Sequence, residues 1–233
     1  MKIAVFSVPA LPLGRCSIKD ARLDQVDQIT KSKKKVYIQA ELIGAEKFLD
    51  ADAVVSSSDA RADLILSDLD FVESRLAKSA VEQEKAVLTR FKEALEKEEF
   101  ISSVPLSEEE RKLISGYGLI TLKPVVIAGD NGTGAPEALI FDVFKKSGFI
   151  SFFTTGEKES RAWLIKNGSN AWEASGAIHS DIQRGFIRAE IISFEDFLKF
   201  SGETGVKQAG RLRLEQKDYI MQDCDLVNFR FNK

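Results

Sequence analysis

The sequence predicts an α+β chain in three parts: an alternating strand and helix half, a pair of amphipathic helices, and a compact mixed sheet with helices at the C-terminal end. Three observations carry this expectation. Apolar, partly β-branched runs at residues 2–8 and 36–38 read as strands. Apolar residues recur at helical spacing from 60 to about 99, through Leu64, Leu66, Leu69, Val72, Leu76, Val81, Val87, Leu88, Phe91 and Leu95. Short strand-like runs follow at 149–155 and 161–166, and Tyr219–Met221 with 226–231 read as a final strand pair.

With 233 residues, 44% hydrophobic and 30% charged, the chain is long enough for one to three cored domains. Residues 1–6 are too short an apolar run for a secretion signal, and no run of about 18 apolar residues occurs, so a cytoplasmic protein with no membrane partner is expected. Cys16 and Cys224 lie far apart without Cys-x-x-Cys spacing, which excludes a cysteine zinc cluster and a disulfide framework. No metal ligand set and no cofactor are expected. Residues 1–35 carry eight Lys and Arg against three acids, 36–148 thirteen against twenty-one, and 149–233 twelve against twelve. There is no bulk positive field for nonspecific nucleic-acid binding, so any RNA contact must be local.

Residues 2–8 end at Pro9 as a buried strand. Downstream stand Ser7, Val8, Pro9, Ala10, Leu11, Pro12, Leu13, Gly14, Arg15, Cys16 and Ser17. A phosphate-binding loop of the Gly-x4-Gly-Lys-Ser/Thr type uses glycine amides, a lysine and a hydroxyl. Here there is one glycine, no lysine, and two prolines that remove donors. Leu23, Val26 and Ile29 give the next segment, 20–29, a short helical packing face, and Lys31, Lys33, Lys34 and Lys35 read as a solvated turn, with a phosphate-contacting patch as the sharper alternative. The helical pair turns near Ser79 or Ala80, and its charged surface suits a rigid spacer or a dimer contact. Ser107 with Glu110 makes a capping box for a further helix. Residues 119–128 read as a strand, and the glycine-rich loop 129–134 reads first as a plain connecting loop, with anion binding by the first amides of the helix that follows over 136–146 as the alternative.

The C-terminal residues carry a resemblance. Ala174 to Asp181, Gly185-Phe186-Ile187-Arg188-Ala189, Lys217-Asp218-Tyr219-Ile220 and Asn228-Phe229-Arg230-Phe231-Asn232 resemble, in order, the TGS module of the YchF family, the Obg-like ATPases. The likeness is dense over the last 85 residues and thinner upstream. There, residues 20–25 resemble the family's Asp-Pro-Arg-Leu-Asp-Gln, arriving early, as if the helix and switch region before it were missing. Gly44 matches the glycine of Asp-Ile-Ala-Gly while the aspartate is not kept, and nearby Glu41 is read as one position out of register for a metal ligand. Asp68-Leu69-Asp70 resembles the base of the family's helical hairpin. Residues 119–124 resemble its Leu-Thr-Leu-Lys-Pro strand, but of the base-reading Asn-x-x-Glu that follows in the family only the first residue has a counterpart here, Asn131.

The resemblance implies a remnant of a nucleotide domain at 1–59 and 118–148, a coiled-coil-like hairpin at 60–117, and a ubiquitin-like β-grasp TGS domain at 149–233. It implies a non-catalytic protein binding a ribosome, RNA or a translation-related protein, with a hairpin dimer as a further expectation. The alternative is an ATP- or GTP-binding protein or weak NTPase with an unusual site, for which Arg15, Gly129, Asn131, Gly132 and Gly134 are the candidates. His179 lacks the partner and cleft of a general base, and no catalytic residue is expected. It joins Arg184, Arg188, Arg211 and Arg213 as candidates for contact with a partner, the arginines because their forks suit phosphate. Where the family has Asp-Gly-Asp this chain has Asp223-Cys224-Asp225, so a positive φ there would strain the cysteine.

Overall fold

The computed structural model describes residues 1–129 and 136–232, and the chain divides into two compact units. The first holds residues 1–16 and 40–147, the second 17–39 and 148–233. Residues 17–39, expected in the N-terminal remnant, thus group with the C-terminal unit.

In chain order the elements begin with β1 (Lys2–Phe6), β2 (Gly14–Ile18), α1 (Ala21–Thr30), β3 (Lys35–Val36), β4 (Ile38–Gly44) and β5 (Ala53–Ser57). The helical pair is α2 (Arg61–Leu76) and α3 (Glu82–Glu96), turning through residues 77–81. Then come α4 (Glu108–Leu113), β6 (Val125–Ala128) and α5 (Pro136–Lys146). The second unit continues with β7 (Phe149–Thr154), β8 (Ser160–Lys166), α6 (Ala171–Ile178), α7 (Ser180–Arg184), β9 (Phe186–Ile192), α8 (Phe194–Lys199), α9 (Glu203–Gln208), β10 (Arg213–Glu215) and β11 (Leu226–Phe231).

The first sheet has the order β2-β4-β1-β5-β6. β1 lies between β4 and β5, parallel to both, and β5 runs parallel to β6. Central strands of such a sheet are covered on both faces, and Ile3, Ala4, Val54 and Val55 are accordingly sealed from solvent. Because the chain leaves β1 toward β4 and returns to its other side with β5, the ends of these strands form the crevice where ligands of doubly wound sheets bind.

The helical pair, expected as a rigid spacer or dimer contact, packs against the segment that follows it. Its inner residues Ile65, Val72, Val87, Leu88, Phe91 and Leu95 form one core with Ile101, Ile114 and Leu119 from the segment that follows. The capping box of α4 is present in both directions, Ser107 N to Glu110 Oε2 at 2.8 Å and Glu110 N to Ser107 Oγ at 3.2 Å. The strand expected over 119–128 is shortened to β6. Asp68, buried in α2, accepts from Ile120 N at 2.8 Å, Thr121 N at 2.7 Å and Thr121 Oγ1 at 2.6 Å, and these bonds hold the preceding residues in a turn.

At the turn of the pair, Glu84 accepts from the Ser79 and Tyr117 hydroxyls and from Arg75 Nε at 2.6 Å. These donors, Ser79 first, then Tyr117 and Arg75, hold its carboxyl down at about 2. A depressed carboxylate pKa gives stability that is present above the unfolded value of 4.5 and is lost as pH falls from there toward 2. Glu84→Gln should therefore lose stability at pH 7, and the gap to the unaltered chain in urea melts should narrow at pH 3. A gap independent of pH would contradict the arrangement.

The second sheet has the order β10-β9-β11-β7-β8-β3. β7 pairs antiparallel with β8, β9 with both β11 and β10, while β11 runs parallel to β7 at the centre. One face packs Ile150, Phe152, Ile165, Ala189, Ile191, Val227 and Phe229 against Ala171 and Ala174 of α6. Toward the other face lie α1 and α8, with Ile29 of α1 against Gly202 and Thr30 Oγ1 3.0 Å from Ser160 Oγ. The strand pair expected from Tyr219–Met221 is corrected: Ile220 makes a single bridge to Asn170, and β11 pairs with β9 and β7 instead. Gly185, before β9, admits no side chain, since a Cβ there would stand 2.0 Å from the Asn232 carbonyl oxygen.

Arg22 of α1 binds Asp20 through Nε at 2.8 Å and Nη2 at 2.7 Å, and Asp223 through Nη1 at 2.5 Å. Asp223 Oδ1 in turn accepts from Ser151 N of β7 at 3.1 Å. The arrangement ties residues 20–22 to the turn before β11. In that turn Cys224 has φ 69°, the left-handed conformation that favours glycine. Its side chain is buried, and burial pushes the thiol up to about 12. Because a Cβ in this region costs about 1–2 kcal/mol, Cys224→Gly should be more stable than Cys224→Ala by about 1 kcal/mol. Urea melts of the two variants check this; the usual order, alanine above glycine, would refute the strain.

Candidate functional site

Two places invite a ligand: the crevice at the end of β1 and the surface of the second unit. At the first, a magnesium triphosphate requires free amides, a lysine, a hydroxyl and a metal-binding carboxylate. The residues do not fit it. The sequence contains no Gly-Lys pair, and Pro9 and Pro12 have no amide hydrogen. The Leu11 amide is spent on the Val8 carbonyl at 3.0 Å, and Val8 and Leu11 are buried, so the loop folds as a closed apolar turn.

Glu41 stands three residues before Gly44, the spacing of the family aspartate, so register rather than spacing disqualifies it. It pairs with Lys2 at the start of β1, while Gly44 pairs with Val5. At about 3.3 Å per residue, the carboxylate sits on the order of 13 Å short of the loop at the end of β1. The end of β4 itself carries an acid, since the Glu46 carboxylate is folded over Gly44, where a Cβ would stand 2.2 Å from Oε2. Of the sequence candidates, Arg15 is exposed on β2, two strands from β1. Gly129 has φ 101° and open space beside it. Asn131, Gly132 and Gly134 lie outside the described residues.

The second unit separates its five candidates by the partners they already have. His179 caps α7, its Nδ1 accepting from Asp181 N at 3.1 Å, and is exposed. Arg184 pairs with Asp181. Both line an open depression of about 760 Å³ with Ile182, Phe231 and Asn232. Arg211 binds Asp196 at 3.2 Å. Arg213 donates to the Tyr219 hydroxyl at 3.0 Å and lies 3.6 Å from buried Asp225. Arg188 stands on β9 with an exposed side chain and, among the described residues, no ion-pair partner.

Directly opposite Arg188 on β11 is Arg230, which sequence reasoning passed over. Its signal was the alternation of Asn228, Arg230 and Asn232 with apolar residues, which puts it on the outer face of a strand. The structure thus does not gather the five candidates into one site. Among the described residues no helix is long and apolar enough to cross a membrane.

By fold the chain is a two-unit mixed α/β protein: the solved structure of the Schizosaccharomyces pombe YchF GTPase matches it with a TM-score of 0.77 over 99% of this chain and 97% of that one, at 18% identity. Sequence relatives are more specific. "Ribosome-binding ATPase YchF" of Bacillus subtilis (strain 168) is 33% identical over 235 residues, covering 73% of this chain and 64% of the relative. The protein of the same name from Haemophilus influenzae is 34% identical over 232 residues with the same coverage. That from Escherichia coli O157:H7 is 52% identical over 89 residues. The family model YchF-GTPase_C, described as "Protein of unknown function (DUF933)", matches residues 149–232.

The chain is similar to proteins of the YchF family along most of its sequence. It spans about 64% of the length of the curated relatives it matches along most of its sequence.

Proposed function

We propose that this chain is a YchF-family protein that binds the ribosome without hydrolysing nucleoside triphosphates, its second unit acting as the contact module. The relatives are named for ribosome binding and ATPase activity, and the two halves of that name fare differently here. The observation that carries the reading is the closed turn after β1, where Leu11 spends its amide on Val8 and no lysine follows. The second unit retains the family's sequence over residues 149–232.

Its strand order also supports a TGS-type β-grasp: two antiparallel pairs, β7 with β8 and β9 with β10, flank a β11 that is parallel to β7, with α6 across one face. A module of this kind acts by what it touches. The alternative, a nucleotide site of unusual construction near Arg15 and Gly129, is separated by thermal melts. A ligand that binds only the native state at 100 times its Kd stabilises it by about 2.7 kcal/mol. Millimolar Mg-ATP or Mg-GTP should leave Tm unchanged, and a concentration-dependent rise would favour the alternative.

A further inference from the structure

On the first unit a groove runs between the start of α2 and the end of α3. It encloses about 460 Å³, within the range of ligand-binding clefts. Its lining takes Arg61, Ala62, Ile65, Leu66 and Leu69 from α2 and Leu95 from α3. At about 1.5 Å per residue, Arg61 to Leu69 runs about 12 Å, a little over two helical turns. Ile65 and Leu95 belong to the core of the helical pair, so the floor is fixed by packing. Leu66 is instead 55% exposed, a large apolar side chain standing in solvent at the groove's edge.

The charges around this apolar trough are mostly acidic. Glu96 and Glu98 line it, and exposed Asp59 and Glu99 adjoin lining residues in the chain, against exposed Lys97. The cation of the lining, Arg61, is already engaged: Nη2 donates to the Glu98 carbonyl at 2.7 Å and the guanidinium lies over the Phe100 ring. Lys92 divides itself between Glu73 at 2.6 Å and Glu96 at 3.7 Å. Glu98 has no ion-pair partner among the described residues.

α3 closes with Glu99 N bonded to the Ala94 carbonyl and Glu98 N to the Leu95 carbonyl, both at 2.9 Å, the pattern whose left-handed residue is most often glycine. Here Glu98 holds that place, with φ 59°. A side chain costs energy there that glycine would not. A carboxylate at the mouth of the groove is thus kept against the preference of its backbone.

An apolar strip two turns long and bordered by acids complements a helix that carries an apolar edge between cationic flanks. An anionic ligand, nucleic acid included, would meet Glu96 and Glu98 instead of cations. We infer that the groove between α2 and α3 receives a cationic amphipathic helix of a protein partner, its apolar edge on Ile65, Leu66 and Leu69 and its cations at Glu96 and Glu98. This surface lies on the first unit and does not rest on the ribosome-binding reading. It is tested without ribosomes, so either can fail alone.

The probe is a fluorescein-labelled peptide with leucines at i, i+3, i+4 and i+7 among lysines, titrated with the full chain and followed by anisotropy. Two further peptides serve as controls, one with the leucines scattered and one with glutamates in place of the lysines. The first peptide should bind and the controls should not. Leu66→Lys should weaken binding by about tenfold or more, since it removes an apolar anchor and adds a repelling charge. Its side chain is exposed, so the variant should melt close to the unaltered chain. Glu98→Gly should weaken binding by about threefold and lessen its dependence on salt. It should melt no lower than the unaltered chain, because glycine suits the left-handed position, so a binding loss there is not unfolding.

Equal binding of the scattered peptide, or unchanged affinity in Leu66→Lys, would mean that general acidity attracts the probe and would overturn the inference. No binding of the first peptide overturns it as well. Sedimentation equilibrium gives the remaining outcome: self-association abolished by Leu66→Lys would show that a second copy covers the groove, and the inference would fall.

Discussion

Replacing Asp68 by alanine should destabilise the first unit by about 3 kcal/mol or more, because buried donors left without an acceptor cost about 1–3 kcal/mol each. Three donors converge on this carboxylate: the amides of Ile120 and Thr121 and the Thr121 hydroxyl. Asp68 and Thr121 are 2% and 0% exposed, so water cannot replace the lost acceptor without opening the core. Asp68→Asn should cost less, since one oxygen still accepts while the new amide faces a donor. Urea unfolding followed by far-UV circular dichroism, to which α2 and α3 contribute as the two longest helices, measures both. A loss below about 1 kcal/mol in the alanine variant would mean that the turn at 119–122 is held by packing alone.

Arg22→Ala should destabilise the second unit on a similar scale. Removing one partner of a buried ion pair costs about 3–5 kcal/mol, because it strands the other charge. Asp20 is 3% exposed and would keep only the amide bond from residue 22, at 2.9 Å, that caps α1. Asp223 would lose the guanidinium while still accepting from Ser151 N. The bidentate bond to Asp20 together with the third to Asp223 demands a planar fork, so Arg22→Lys should rescue poorly. Both tryptophans, Trp163 and Trp172, lie in the second unit, so intrinsic fluorescence follows its unfolding. Full rescue by lysine would show that charge alone matters.

What could be read from the sequence was local. The Ser107 and Glu110 capping box, the turn between α2 and α3, and the start of α5 each depend on residues a few positions apart, and each is where the pattern puts it. The strain at Cys224 was legible as a condition, since one glycine in a turn motif had been replaced by a residue with a Cβ. The features that organise the units are not local. Asp68 meets Ile120 across 52 positions, and Arg22 meets Asp223 across 201. No periodicity announces either bond.

β9 escaped notice because its outer residues are mixed, Ile187, Arg188 and Glu190, and only Ala189 and Ile191 mark its inner face. Glu41 shows the limit of counting residues: its distance from Gly44 along the chain suits a metal ligand, yet the pairing of β4 with β1 carries it to the wrong end of the strand. Arg230 was passed over because only the pairing of β11 with β9 places it opposite Arg188.

The central claim is that this protein works by contact and not by turnover. Sedimentation of the full chain with purified ribosomes, with and without Mg-ATP, tests it most directly. The account predicts that the chain pellets with ribosomes to the same extent in both conditions and releases no phosphate. Binding that appears or disappears with Mg-ATP, or measurable phosphate release by the purified chain, would contradict it.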